Sequence, residues 1–463
     1  MMNPTIFREY DIRGIVDEDI SPDGVVLLGK AFGSYLRQHG LGQAVLGWDS
    51  RASSPPYRDA LTEGLTSTGI DVLDIGEVTT PIFYWARVHY QLEGGAMITA
   101  SHNPAEYNGF KLAARGKGTL FGDEIQKVRH LMEAGQFETG HGSVRHDNPV
   151  PEYLAMLKAK ISLGPRPLKV VVDCGNGTPS LFVRDAMQAF GITDATYLYC
   201  ETDPTFPNHH PDPVVAKNLV DLIATVQDLG ADIGVAFDGD GDRIGVVDEH
   251  GQIIWGDRLM ILYWREILAS HPGTPAIVEV KCSQTLFDEI KRMGGRPLFY
   301  KTGHSLIKDK MRELDAVFTG EMSGHMFFAD EYYGFDDAFY AAGRIFRILS
   351  QTDLSLSQLL ADVPRLPSTP EVRIDCPDEK KFEVVATLRQ QFGEDSSLEV
   401  IDIDGVRVNF GHGWGLIRAS NTQPALVARA EADTEMHLQE ILHTLDQKLS
   451  QFPFIGSTDW TGE

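Results

Sequence analysis

Cysteine is scarce in this chain, with four in 463 residues. Cys174, Cys200, Cys282 and Cys376 lie far apart and none belongs to a CxxC pair. That excludes a zinc ribbon and a disulfide framework, and leaves reduced thiols as the expected state. Long hydrophobic runs are missing too: no stretch approaches the roughly 20 apolar residues of a membrane-spanning helix. Arg8, Glu9, Asp11 and Arg13 put charge into the first residues, so the segment does not read as a signal peptide and a cytoplasmic location is expected. Positive charge is short, with 41 Lys and Arg against 66 Asp and Glu and a net charge of −25. The imbalance excludes nucleic acid and disfavours an anionic membrane, because both are held by neutralising phosphates with Lys and Arg. It leaves room for a small phosphorylated molecule, since a few cations and a metal focused in one cleft suffice. No Walker A sequence and no GxSxG elbow occurs. Gly411-His412-Gly413-Trp414-Gly415 does not match GxGxxG and is expected to precede a strand, so nucleotide and hydrolase readings are weak.

What is present is an alternation of strand-like and helix-like runs, the pattern of α/β proteins. Length alone suggests roughly three domains; composition along the chain divides it into four units. Residues 1–150 hold a helical pattern from Val25 through Tyr35 and strand-like runs at Ala44–Gly47, Asp71–Ile75 and Gly94–Ile98. The polar stretch from Gly140 to Pro149 is the first expected boundary. Residues 151–254 open with a helix near Tyr153 to Lys160 and contain buried strands at Leu168–Asp173 and Ile233–Phe237. Between them, Phe206–Pro213 must be loop, and its His209-His210 pair reads as packing rather than as a metal site. Residues 255–367 form the third unit, with a strand at Ala276–Val280. Pro364–Pro370, with three prolines in seven residues, is the best linker. Residues 368–463 form a smaller last unit, with strands near Glu371–Ile374, Gly405–Asn409 and Trp414–Arg418 and a helix near Met436–Leu449.

Four loops carry chemistry. Thr99-Ala100-Ser101-His102-Asn103-Pro104 follows a small, apolar strand and is stopped by Asn103-Pro104, because proline lacks a donor and biases its neighbour toward extended geometry. That puts Ser101 on a tight loop at a strand end, where an α/β protein carries a nucleophile, with His102 beside it and Lys111 ten residues on. Asp238, Asp240 and Asp242 alternate with glycines. Carboxylates this close repel one another unless a hard cation sits among them, and magnesium suits oxygen ligands while keeping positions open for a phosphate. An EF-hand fails, because its sixth position holds Arg243 where glycine is required and the flanks read as strands. Arg243 adds a fixed cation beside the metal. Gly320–His325 offers Glu321, Ser323 and His325 to sugar hydroxyls. Arg418-Ala419-Ser420-Asn421-Thr422-Gln423-Pro424 combines an arginine with short polar side chains, which is phosphate-binding equipment.

In this order the loops resemble the α-D-phosphohexomutase superfamily, most closely its phosphomannomutase/phosphoglucomutase branch. Phe7–Gly14, Lys301-Thr302-Gly303-His304-Ser305 and Gly334-Phe335-Asp336-Asp337 fit that branch as well. The resemblance spans the whole chain. It implies three similar mixed-sheet α/β domains plus a smaller, mobile C-terminal α+β domain around a central cleft. It also implies reversible interconversion of hexose 1- and 6-phosphates of mannose and glucose, through a phosphoserine and a hexose 1,6-bisphosphate. Ser101 would carry the phosphoryl group. Asp238, Asp240 and Asp242 would hold Mg2+ together with an oxygen of phosphorylated Ser101. Lys111 and His102 would lie beside the phosphoserine, Lys111 being the better candidate for proton transfer, and Tyr10, Arg13 and Arg243 would line the same site. Glu321 and Ser323 would grip the sugar hydroxyls with Lys281, His304 and His325 nearby, and Arg418, Ser420, Asn421 and Thr422 would hold the phosphate that is not reacting. Glucose 1,6-bisphosphate, or its mannose counterpart, is the implied activator, and phosphorylated hexoses are the implied partners of a monomer. Closure about Pro364–Pro370 would keep water from the phosphoserine. Trp48 and Gln423 depart from the family pattern without removing a phosphate or metal ligand. Two rivals are a phosphoglucosamine mutase, to which Met322 and His325 are less suited, and a non-catalytic sugar-phosphate binder, which would not need Ser101, Lys111 and three aspartates.

Overall fold

The computed structural model describes residues 2–114, 116, 118–421, 423–456 and 458–461. Thr422 is outside the described residues. The first sheet has six strands in the order Ile12–Ile15, Tyr107–Ala113, Gly94–Ile98, Gln43–Trp48, Asp71–Glu77 and Val144–His146. It is mixed: Gln43–Trp48 runs parallel to both neighbours, whereas Tyr107–Ala113 returns antiparallel to Gly94–Ile98. The connecting segments form helices with readable ends. Pro22–Gln38 begins with the Ser21 side chain accepting the Gly24 N–H, has proline in its first turn and ends near Arg37. A glycine-lined face lets this helix lie against Ser54–Ser67, where a Cβ on Gly29 would stand 2.6 Å from the Leu61 carbonyl oxygen.

The second sheet is also mixed, in the order Ile253–Ile254, Ile244–Asp248, Ile233–Phe237, Lys169–Asp173 and Asp194–Leu198. In the third unit the strands fall into a parallel pair, Pro275–Glu279 with Arg296–Tyr300, and an antiparallel pair, Phe318–Gly320 with Met326–Phe328. The Thr319 hydroxyl, donating to the Ile277 carbonyl at 2.7 Å, joins the pairs. The last sheet is wholly antiparallel, in the order Val372–Asp375, Ala425–Ala432, Gly413–Ala419, Val406–Asn409 and Glu399–Ile401. It is backed by Lys381–Gly393 and Glu435–Leu449.

The buried apolar residues divide unevenly. One continuous core runs from Val45 through Val172, Val235 and Ile261 to Val363, crossing three units. A separate core from Val372 to Ile455 lies within the last unit. Between them stands only a small cluster of Val280, Trp414 and Leu416.

The polar stretch 140–149 contains a strand of the first sheet. Val144–His146 is an edge strand parallel to Asp71–Glu77, with all three residues exposed, so no apolar periodicity marks it. Gly411–Gly415 does not simply precede a strand, which already begins at Gly413. His209 Nε2 lies 3.0 Å from Asp173 Oδ2 and Nδ1 lies 2.8 Å from the His210 carbonyl, so this histidine packs its loop. All four cysteines are free and buried. Among the described residues no helix is long and apolar enough to cross a membrane.

Candidate active site

Ser101 stands at the end of the strand Gly94–Ile98 with a φ of 50°, in the left-handed region that side chains seldom adopt. The strain is held by bonds on every side. Its N–H donates to Thr99 Oγ1 at 2.9 Å, its hydroxyl donates to Asp238 Oδ2 at 2.5 Å, and His102 Nδ1 lies 3.1 Å from the same Oγ. A residue that the sequence reading passed over fixes the loop. The guanidinium of buried Arg51 donates to the carbonyls of Ser101, Asn103, Pro104 and Tyr107 at 2.6–2.9 Å, and its Nε pairs with Asp49. Gly239 is required here, since a Cβ on it would sit 2.3 Å from the Ser101 carbonyl oxygen.

The aspartate loop joins two antiparallel strands, Ile233–Phe237 and Ile244–Asp248, and all three carboxylates are fully buried. Asp238 Oδ1 accepts the N–H groups of Asp242 and Arg243, both at 3.0 Å. Asp240 Oδ2 accepts from Thr80 at 2.6 Å, Thr99 at 3.2 Å and Lys111 at 3.0 Å, and Asp242 Oδ2 accepts from Lys111 at 2.5 Å. Asp240 Oδ1 is buried with no hydrogen-bond partner among the described residues. One oxygen from each of the three carboxylates lies within 4.8 Å of the others. A buried orphan acceptor within an all-oxygen donor set fits a hard divalent cation. Burial, then repulsion by Asp242 and Asp240, pushes Asp238 well above the usual carboxylate range. Burial would raise Asp242 likewise, but Lys111 and then His325 outweigh it and hold that carboxyl well below. Burial opposes charge on Lys111, yet Asp240 and Asp242 raise it well above the ordinary lysine value. Burial, with Arg243 and Arg13 next to it, keeps His102 well below the ordinary histidine value and hence neutral.

The loop Gly320–His325 docks on the aspartate loop through its backbone. Gly324, at a φ of 91°, accepts the Ile244 N–H at 3.1 Å, and a Cβ on it would lie 2.4 Å from the Ile244 oxygen. His325 stands 3.2 Å from Asp242 Oδ1, 3.0 Å from Glu321 Oε2 and 3.0 Å from Ser323 Oγ. These carboxylates override burial and raise its pKa to about 9, while His325 helps hold Glu321, despite burial, at about 2. Arg243 Nε lies 3.3 Å from His325 Nε2. His304 stacks on His325 with ring centres 5.5 Å apart; its Nδ1 is 3.3 Å from Asp336, which also accepts from Lys308 at 2.9 Å. Burial and the Lys308 cation lower His304. Lys281 bonds Glu371 at 2.7 Å and lies 3.3 Å from Glu279, whose carboxylate also accepts from Thr302 Oγ1 and the Met322 N–H.

The last unit reaches the cleft with the loop after Gly413–Ala419. Arg418 is buried, Ser420 Oγ accepts the Gln423 N–H, and Asn421 Nδ2 donates to Tyr10 OH at 2.5 Å. Tyr10 OH in turn donates to the Thr302 carbonyl at 2.8 Å. Arg13 bonds Asn103 Oδ1 at 2.7 Å and Asp11 at 2.6 Å. Every expected site residue other than Thr422 therefore lies on one linked set of loops. Arg51, Thr80, Glu279, Lys308 and Asp336 were not anticipated in these roles. The hints in the sequence are slight: Arg51 follows a strand-like run, Glu279 lies near the end of another, and Asp336 sits inside Gly334–Asp337.

Four successive segments match the domain families described as Phosphoglucomutase/phosphomannomutase: alpha/beta/alpha domains I, II and III at residues 4–139, 151–251 and 255–366, and the C-terminal domain at 371–448. The chain belongs to the phosphoglucomutase/phosphomannomutase family. It is 43% identical to a phosphomannomutase/phosphoglucomutase of Pseudomonas aeruginosa over 94% of each chain. It is 42% identical to a phosphoglucomutase of Neisseria meningitidis, over 94% of this chain and 95% of that one. A phosphoglucomutase/phosphomannomutase family protein from Burkholderia thailandensis superposes with a TM-score of 0.92 at 40% identity, covering 97% of this chain and 98% of its own. The family's four domains account for the four units seen here, and the phosphohexomutase resemblance of the loops is borne out.

Proposed function

We propose that this chain interconverts the 1- and 6-phosphates of mannose and glucose, with Ser101 as the phosphoryl carrier. The observation that carries the reading is the Ser101 hydroxyl, strained, buried and 2.5 Å from one of three clustered aspartates. Phosphorylated Ser101 gives its phosphoryl group to the free hydroxyl of a hexose monophosphate: the Ser101 Oγ–P bond breaks and a sugar O–P bond forms, leaving a hexose 1,6-bisphosphate. The bisphosphate turns over in the cleft and returns its other phosphoryl group to Ser101. In-line positioning and charge stabilisation govern such transfers. Asp238, Asp240 and Asp242 would hold Mg2+ with a phosphoserine oxygen, and the bound ion supplies charge neutralisation. Lys111, Arg243 and Arg13 add fixed positive charge, with Lys111 and His102 the groups closest at hand for the moving proton. Glu321, Ser323, His325, His304 and Lys281 face the sugar, and Arg418, Ser420, Asn421 and Thr422 hold the distal phosphate. In this assignment residues 1–150, 151–254, 255–367 and 368–463 supply the phosphoserine, metal, sugar and phosphate loops respectively. Glucose 1,6-bisphosphate primes the serine, the protein works as a monomer, and four buried, unpaired cysteines support a cytoplasmic location.

The test is turnover of mannose 1-phosphate, glucose 1-phosphate and glucosamine 1-phosphate, with Mg2+ and a trace of glucose 1,6-bisphosphate, beside a Ser101→Ala control. Rapid conversion of the first two, lost in the control, is the expected outcome. Preference for the amino sugar would overturn the substrate assignment and keep the mechanism. No turnover of any would sink the enzyme.

A further inference from the structure

Arg418 lies on the strand Gly413–Ala419, buried to 5% side-chain exposure, with a carboxylate already against it. Asp404 Oδ2 accepts from Arg418 Nε at 3.0 Å, and the same oxygen accepts the Thr302 N–H at 3.0 Å. Asp404 thus touches the arginine on its flank rather than on its fork. Among the described residues neither terminal nitrogen of Arg418 has a hydrogen-bond partner. Both are left to meet two oxygens of one phosphate, the bidentate geometry that a guanidinium offers and an ammonium does not.

The local chain is shaped for this contact. Gly405, next to Asp404, has a φ of 83°, and a Cβ there would lie 2.5 Å from Arg418 Cβ and 2.5 Å from the Ile417 oxygen. Only glycine allows the turn to bring Asp404 so near. The bonds then close a circuit. Thr302 offers its N–H to Asp404 and its carbonyl to Tyr10, and Tyr10 OH accepts from Asn421, three residues beyond Arg418. The phosphate loop is tied back to itself through the first and third units.

We infer that Asp404 is a positioning residue. It aims the Arg418 fork at the non-reacting phosphate of the hexose substrate and fastens that aim to the Thr302 loop. This rests on the proposed role of Arg418 as a phosphate clamp, and a double-mutant cycle separates the two. With glucose 1-phosphate as substrate, Arg418→Ala is expected to raise KM about tenfold to a hundredfold, in line with loss of a charged hydrogen-bonding partner. Asp404→Ala is expected to raise KM about tenfold, with kcat falling far less, and to add nothing in the Arg418→Ala background. Asp404→Asn, which keeps an oxygen acceptor, is expected to restore most of the affinity. If Asp404→Ala does not fold, the smaller effect of Asp404→Asn, vanishing beside Arg418→Ala, serves the same purpose. An Asp404 effect of equal size in both backgrounds would overturn the inference while leaving the clamp standing. An unchanged KM in Arg418→Ala would remove the clamp, and the inference with it.

Discussion

The two ends of the cleft are built to different standards. At the serine end, Ser101, three aspartates, Lys111 and Arg51 make multiple short bonds where a core shared by three units meets the first unit's own core. At the Arg418 end, the last unit keeps its own core and meets the others mostly through polar contacts: Arg407 on the Val280 and Cys282 carbonyls, Arg429 on the Lys281 carbonyl and Asp257, Glu431 on the Gln284 N–H, Lys281 with Glu371, and the Tyr10 bonds, with Trp414 and Leu416 in a small apolar cluster. The difference separates two tasks. Bond making needs atoms fixed to within a fraction of an ångström, whereas recognition must release and regrip a sugar that has turned around. A shared apolar core suits the first, a unit docked by polar contacts the second.

Substitutions at the two ends should therefore differ in kind as well as size. Ser101→Ala is expected to lower kcat on the order of 10⁴-fold or more without changing the fold, read by steady-state turnover and circular dichroism. Arg51→Ala should come next. It takes the guanidinium away from four carbonyls and from Asp49 Oδ2, at about 3–5 kcal/mol of stability, and should lower kcat about a hundredfold. Arg51→Lys should rescue little, since one ammonium cannot span four carbonyls. An Arg51→Ala enzyme with normal kcat would erase the contrast. At the other end, Tyr10→Phe removes the hydroxyl that bridges Asn421 and Thr302, and should raise KM roughly fivefold with little change in kcat. A fall in kcat instead would mean that the last unit shares in the chemistry.

The smallest effect concerns pH. Lys281 lies on the third unit and Glu371 at the start of the last, 2.7 Å apart. Burial would raise Glu371, but the Lys281 cation overrides it and holds the carboxyl at about 2, below its ordinary 4.5. The pair's contribution is then present above about pH 4.5 and fades as pH falls toward about 2. The melting-temperature gap between wild type and Glu371→Gln should be a few degrees near neutrality and close over that window. A gap independent of pH would deny the ion pair any part in docking.

Much of this was legible beforehand. Strand runs such as Gly94–Ile98 and Ile233–Phe237 carry unbroken apolar stretches, and their glycine- and proline-marked ends locate the serine and aspartate loops. The strand Ala425–Ala432 was not legible. Its eight residues are all buried, yet Ala428-Arg429-Ala430-Glu431-Ala432 alternates only small residues with charges, and Val427 is its single β-branched side chain. Arg51, Glu279 and Asp404 escaped for another reason: their partners are backbone groups or side chains from distant loops, and such pairing leaves no local pattern. Trp48, which departs from the family pattern, is covered by the Arg58 guanidinium.

In the proposed cycle Ser101 alternates between a free hydroxyl and a phosphate ester. Its loop takes its shape from Arg51, which grips main-chain oxygens and is indifferent to what the serine oxygen carries. The loop need not rearrange between one half-reaction and the next. On that reading, an unphosphorylated chain already has the loop shape it keeps once Ser101 is charged.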